Sequence, residues 1–206
     1  MLNTSDLVSF WRLDESSGAN AADARSQNPG TYTNGVALGA VGAQNDGTSA
    51  ASCDGVDDHV LVANSASLQA TEGTLEAWVK TTAPGTGHRG IVVKGSAYGM
   101  YLFNGKLATR DYSTTTLHVS GVNLADGRWH HVALSYQSGV AGGTVLYADG
   151  VPKLTTTITI LGNNNQLVIG AANNGTIQFL AGSIDEPAFY SRALTAAEIQ
   201  NHYNAR

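Results

Sequence analysis

One cysteine, Cys53, stands among 206 residues. That excludes an intrachain disulfide and leaves the apolar core to hold the fold together. No basic flank or helix start lies near it to lower its pKa, so Cys53 reads as a small buried strand residue. Basic residues are sparse as well. Eleven Lys and Arg face sixteen Asp and Glu, a net charge of −5. The cations are scattered, with no cluster and no aromatic-interleaved strip, which excludes nucleic acid and an anionic membrane surface as partners. No apolar stretch approaches the length of a membrane span, so no membrane insertion is expected. The opening MLNTSDLVSFWRLDESSG has neither the basic leader nor the apolar run of a signal peptide. With Met1 as the natural start, this predicts no export by the usual route.

What is present is a sequence of short alternating runs broken by glycine. The most informative stretch is 126–150, DGRWHHVALSYQSGVAGGTVLYADG. Trp129, His131, Ala133 and Ser135 share one face of a strand, and His130, Val132, Leu134 and Tyr136 the other. A second run over 144–148 ends at Asp149-Gly150, a tight-turn signal. Further strands are predicted over 7–13, 59–62, 74–81, 91–94, 98–103, 106–112, 116–119, 155–161 and 166–169, with closing strand residues around 179–190. Residues 14–22 and 23–31 read as polar loops, and 35–51 as a low-complexity stretch over the surface. One helix is expected at the end. Thr195-Ala196-Ala197-Glu198 has the form of a capping box. Leu194 and Ile199 form a hydrophobic staple, and Ile199 and Tyr203 share a face. Residues 1–206 show no internal repeat and read as one all-β domain.

Several motifs occur together and in order. Phe10-Trp11-Arg12-Leu13-Asp14-Glu15 precedes Gly18, and the turn Asp23 to Gly30 follows. Cys53-Asp54-Gly55-Val56-Asp57-Asp58-His59-Val60 leads to Thr74-Leu75-Glu76-Ala77-Trp78-Val79-Lys80. Gly182-Ser183-Ile184-Asp185-Glu186, Tyr190, Arg192-Ala193-Leu194 and Glu198-Ile199 close the chain. This set resembles the laminin-G-like domains of the concanavalin A-like lectin/glucanase superfamily, in their bacterial or phage type. Cys53 stands where the family's phenylalanine is expected, and His59 replaces a tyrosine. The resemblance implies a two-sheet antiparallel β-sandwich, a concanavalin A-like jelly roll, with one short C-terminal helix. It also implies a calcium ion at the sandwich edge.

The sequence supports a metal site independently. Calcium takes six to eight oxygens, usually delivered by turns. Asp54, Asp57 and Asp58 crowd one turn, Asp23 and Asn28 share another, and Asp185 follows an apolar strand residue. These six are the candidate ligands. The same aspartates also make good turn formers. The lack of Cys/His spacing disfavours zinc, and no EF-hand loop is present, so the ion's role would be structural.

Catalysis is not expected. Retaining glycosidases need two carboxylates about 5–5.5 Å apart across the scissile bond. The five glutamates, Glu15, Glu72, Glu76, Glu186 and Glu198, include no set alternating along one strand face. Asp185 and Glu186 are adjacent and would face opposite ways, as would His130 and His131. No Gly-x-Ser-x-Gly elbow exists. A binding module for a glycan or surface polysaccharide is the leading expectation, because loops at a sandwich edge can pair an aromatic platform with hydrogen-bonding groups. The candidate ligand residues are His88 and Arg89 in the loop 84–90, Tyr98, and Arg110, Asp111 and Tyr112. Asn163, Asn164, Asn165, Asn173 and Asn174 add amides. The alternative is a decoration or fibre protein of a phage particle, partnered by a virion scaffold protein or by self-association through the threonine-rich run 155–159. Either reading places the chain on an extracellular surface or a virion.

Overall fold

The computed structural model describes residues 6–44, 47–83 and 85–205. The early strands are β1 (Leu7–Phe10), β2 (Asn20–Ala21), β3 (Gly30–Thr33), β4 (Ala37–Val41), β5 (Ser49–Asp54) and β6 (His59–Val62). A short 3-10 turn, Ala66–Leu68, precedes β7 (Glu72–Lys80), β8 (His88–Lys94), β9 (Tyr98–Phe103), β10 (Lys106–Asp111) and β11 (Thr116–Asn123). Then come β12 (His130–Gln137), β13 (Thr144–Ala148), β14 (Val151–Thr156), β15 (Leu167–Ile169) and β16 (Ala181–Tyr190), followed by α1 (Ala196–Asn204).

These strands form two antiparallel sheets. The first runs β14-β13-β12-β7-β16-β5-β4, with β1 added on β16, and the second runs β11-β10-β9-β8-β15-β6-β3-β2. Alternation decides what lies between them. Leu75, Ala77 and Val79 of β7 meet Val132, Leu134 and Tyr136 of β12 and Tyr98, Met100 and Leu102 of β9 in one buried cluster. The opposite parity of the first sheet faces outward, where α1 covers it: Ala133, Tyr147 and Tyr190 pack with Leu194 and Ile199. Trp78 is buried there too, stacked on Tyr203 at 5.9 Å between ring centres. The expected capping box is in place, since Thr195 accepts from the Glu198 N–H and Glu198 reaches back to the cap. Cys53 is buried on β5, and burial pushes its thiol up to about 12.

Some boundaries differ from the sequence reading. The stretch 35–51 supplies β4 and the first half of β5, and Ala50 and Ala51 are fully buried. Its small side chains hid the pattern, because alanine and serine carry little apolar contrast. The strand expected over 155–161 instead occupies Val151–Thr156. The turn at Asp149-Gly150, with φ of 53° and 74°, starts β14 at once; two left-handed residues give the hairpin geometry whose twist matches its strands. Pro152 is tolerated because β14 is a sheet edge. The strand expected over 7–13 ends at Phe10, with Trp11 forming an isolated bridge to Asp23. Trp129 lies half-buried just ahead of β12. Among the described residues, no helix is long and apolar enough to cross a membrane.

Candidate functional site

The second sheet carries an apolar platform on its outer face. Val93, Tyr101, Ala108 and Ala172 are buried there, flanked by Phe103, Tyr112, Leu117 and Val119. Register explains the set: Tyr101 of β9 pairs with Ala108 of β10, which also pairs with Val119 of β11. Two residues beyond Ala108, Arg110 projects from the same face. The far wall is a strap formed by residues 170–180. Its tip is a tight turn in which Ala172 and Ile177 bond each other, and it returns across β8 through the Gly90 N–H donating to the Gln178 carbonyl at 2.8 Å. Glycine is required at 90 for this crossing. A Cβ there would sit 2.1 Å from the Ala171 carbonyl oxygen.

Between platform and strap lies a cavity of about 260 Å³. His88, Tyr101, Arg110 and Tyr112 line one side, and Asn173 and Gln178 line the strap side. Tyr101 and Tyr112 bond hydroxyl to hydroxyl, and Arg110 lies over the Tyr112 ring, 5.8 Å from its centre. The His88 Nε2 and the Arg110 Nε are both buried and have no protein hydrogen-bond partner, a costly arrangement in a finished interior. Burial, helped by the neighbouring Arg110 charge, pushes the His88 pKa down. The ring is therefore neutral at pH 7, with one donor and one acceptor to offer. Burial raises both tyrosine pKa values, so both phenols stay protonated. The residues lining the cavity bring a guanidinium, an imidazole, the hydroxyls of Ser96, Tyr101 and Tyr112 and two amides beside aromatic faces.

Three of the six residues expected to hold a ligand thus converge: His88, Arg110 and Tyr112. The other three go elsewhere. Tyr98 has the opposite parity on β9 and enters the core. It is fully buried there, donates to the Leu68 carbonyl at 2.7 Å and stacks on Phe189. Asp111 also has the opposite parity to Arg110; its Oδ1 accepts from the Ser113 N–H and hydroxyl. Arg89 folds back to donate to the His88 carbonyl at 3.0 Å. Residues 88–90 belong to β8 rather than to a loop, and Pro84, where that loop was expected to begin, lies outside the described residues. Of the asparagines, Asn173 reaches the cavity, whereas Asn163 and Asn165 donate to the Gly95 carbonyl. Tyr101 and Gln178 were not foreseen. The parity of Tyr101 with Arg110 across β9 and β10 was available once register was known; Gln178 carried no signal.

The six candidate metal ligands fall in three places. Asp23 accepts four backbone N–H groups, from Phe10 and Arg25 at Oδ1 and from Gln27 and Asn28 at Oδ2. Asn28 donates to Ser9 and Ser67 and accepts from Ser65 at 2.6 Å. Together they pin the 23–28 turn to β1 and to the 3-10 turn, with protein donors supplying what a cation would. Asp185, fully buried on β16, accepts from the Ala43 N–H at 2.7 Å. Only Asp54, Asp57 and Asp58 come together, with carboxylate oxygens within 4.8 Å of one another. Asp54 and Asp57 are exposed and Asp58 is buried. Burial, together with the neighbouring Asp54 and Asp57 charges, raises the Asp58 pKa. A turn of hard carboxylate oxygens in mutual repulsion fits calcium in donor type.

His130 and His131 face opposite ways, as expected. His130 lies between Asp149 and Asp126, and the Asp149 hydrogen bond leads in raising its pKa. His131 is buried against Trp78, and burial lowers its pKa.

Comparison with known proteins agrees with this architecture. The sequence profile of the concanavalin A-like lectin/glucanases superfamily matches residues 54–200. No curated protein matches the chain. Among solved structures, the sialidase of Trypanosoma rangeli in complex with sialic acid superposes with a TM-score of 0.75 at 16% identity, covering 98% of this chain and 33% of the sialidase. The binding domain of Paraclostridial Mosquitocidal Protein 1 gives 0.73 at 15% identity, over 97% of this chain and 52% of that one. Domain 4 of AbnA, an extracellular arabinanase from Geobacillus stearothermophilus in complex with arabinotriose, gives 0.71 at 20% identity, over 95% and 97%. The chain spans about a third of the sialidase and half of the toxin binding domain. At these identities the likeness is one of fold.

Proposed function

This chain belongs to the concanavalin A-like lectin/glucanases superfamily, and from that premise we propose that it is a non-catalytic carbohydrate-binding module. Its ligand sits in the cavity between the outer face of the second sheet and the strap. The observation that carries this reading is a cavity lined by Arg110, His88, two tyrosines and two amide residues, with the His88 Nε2 and Arg110 Nε buried and unpartnered in its wall. A sugar offers hydroxyls to such groups and an apolar C–H face to rings such as Tyr112. The volume of about 260 Å³ lies near the lower end of small-molecule pockets, about 300 Å³, the scale of a terminal sugar residue. The arabinotriose complex of the similar arabinanase domain supports a sugar as ligand for this fold.

A non-catalytic role is supported by the lining. Among the described residues no carboxylate lines the cavity, so the acid and base of a glycosidase have no candidates there. Calorimetric titration of a broad glycan panel against the wild type and Tyr112→Ala tests the proposal. Binding of one glycan class, lost in a variant that still unfolds cooperatively above the titration temperature, is the expected result. A flat response across the panel overturns it. A structural calcium ion is proposed at Asp54, Asp57 and Asp58, where it would neutralise crowded carboxylates and fasten the turn between β5 and β6.

A further inference from the structure

Resting on the carbohydrate reading of the cavity, we infer that its ligand is an acidic sugar, a uronic-type residue whose carboxylate engages the Arg110 guanidinium. The argument begins with charge. Among the described residues, Arg110 is the single Lys or Arg lining the cavity, and no Asp or Glu lines it. Arg192, by contrast, is held by Asp6 at 2.7 Å and by Glu198 at 2.6 Å. Asp111, the acid adjacent to Arg110 in sequence, turns to the opposite face and is occupied by Ser113. Neighbouring His88 adds no second charge, because burial and Arg110 itself keep it neutral. One positive charge is thus set among neutral donors, with its Nε buried and unpaired.

Geometry narrows the class. A guanidinium presents its N–H groups as a planar fork that matches a carboxylate with two parallel hydrogen bonds. Tyr112 lies under that fork, leaving the fork's edge as the donor surface. Tyr112, Asn173 and Gln178 line the same cavity and supply polar groups of the kind that the hydroxyls of a pyranose ring take up. The chain's net charge of −5 does not oppose this at close range, because charges beyond about 8 Å are screened at physiological salt.

The test titrates the protein with glucuronide and galacturonide disaccharides, with their methyl esters, and with sulfated disaccharides. Arg110→Gln and Arg110→Lys are measured beside the wild type, with melting temperatures as a folding control. The inference predicts that at least one uronide binds about tenfold to a hundredfold more tightly than its ester, the range expected of a charge-assisted hydrogen bond. Arg110→Gln abolishes that preference. Arg110→Lys, with charge but no fork, restores only part of it, and added salt weakens the acid and leaves the ester unchanged. Equal binding of acid and ester overturns the inference while leaving the carbohydrate reading intact. Sulfated sugars binding as tightly as uronides overturn the carboxylate assignment. Binding of no saccharide at all removes the underlying reading, and the inference with it.

Discussion

At the scale of single residues, parity decides role. Tyr98 and Tyr112 looked equivalent as candidate ligand contacts, yet one lies in the core and the other on the outer face. Tyr98→Phe leaves the buried Leu68 carbonyl without its donor and is expected to cost about 1 kcal/mol in denaturant unfolding, with ligand affinity unchanged. Tyr112→Ala should weaken ligand binding, and because it also takes away the partner of the buried Tyr101 hydroxyl it should lower stability as well. Glu198 supplies a pH signature. Its bonds to Arg192 and then to Thr195 hold its carboxyl down at about 2, against an ordinary 4.5. Its contribution is therefore fully present above pH 4.5 and is lost as the pH falls toward 2. Glu198→Gln should destabilise the protein at neutral pH and converge with the wild type in acid, as read from unfolding midpoints across that range. A difference as large at pH 2 as at pH 7 would show that Glu198 acts through something other than its charge.

At the scale of elements, the legible parts were those with apolar contrast. The hairpin β12–β13, the Asp149-Gly150 turn and the capped helix could be read because Val, Leu and Tyr alternate with small or polar residues and because turn and cap chemistry is local. β4 and β5 were hidden in alanine and serine, and β2 and β3 in polar turn residues. The cavity was half legible for a related reason. His88, Arg110 and Tyr112 were visible as chemistry, but the strap that encloses them is held by backbone contacts, which residue identity barely records. Gly90 is one sequence trace of it, beside Gly170 and Gly175 within the strap, and its meaning appears only when Ala171 is seen against it. Gly90→Ala should push the strap away, lowering both the melting temperature and ligand affinity. A Gly90→Ala protein that binds normally would show that the strap plays no part in the site. Ile199→Ala removes the centre of the contact between α1 and the first sheet and should cost about 2–5 kcal/mol, with the cavity on the opposite sheet unaffected.

At the scale of the whole molecule, the sandwich separates its tasks. Its core lies between the sheets, a helix packs on one outer face, and the other face carries a strap with a polar cavity beneath it. The aspartate turn between β5 and β6 is a separate matter and is tested separately. A bound ion at hundredfold excess over its dissociation constant raises stability by about 2.7 kcal/mol, so calcium at Asp54, Asp57 and Asp58 should raise the melting temperature and a chelator should reverse the shift. An unchanged melt would assign those aspartates to turn formation alone. The most direct test of the central claim is to map backbone amide shifts by NMR during titration with a glycan that binds. Perturbations gathered at Tyr101, Arg110, Tyr112, Asn173 and Gln178 are the predicted result. Perturbations gathered instead at the Asp54–Asp58 turn or beside α1, with the strap silent, would contradict it.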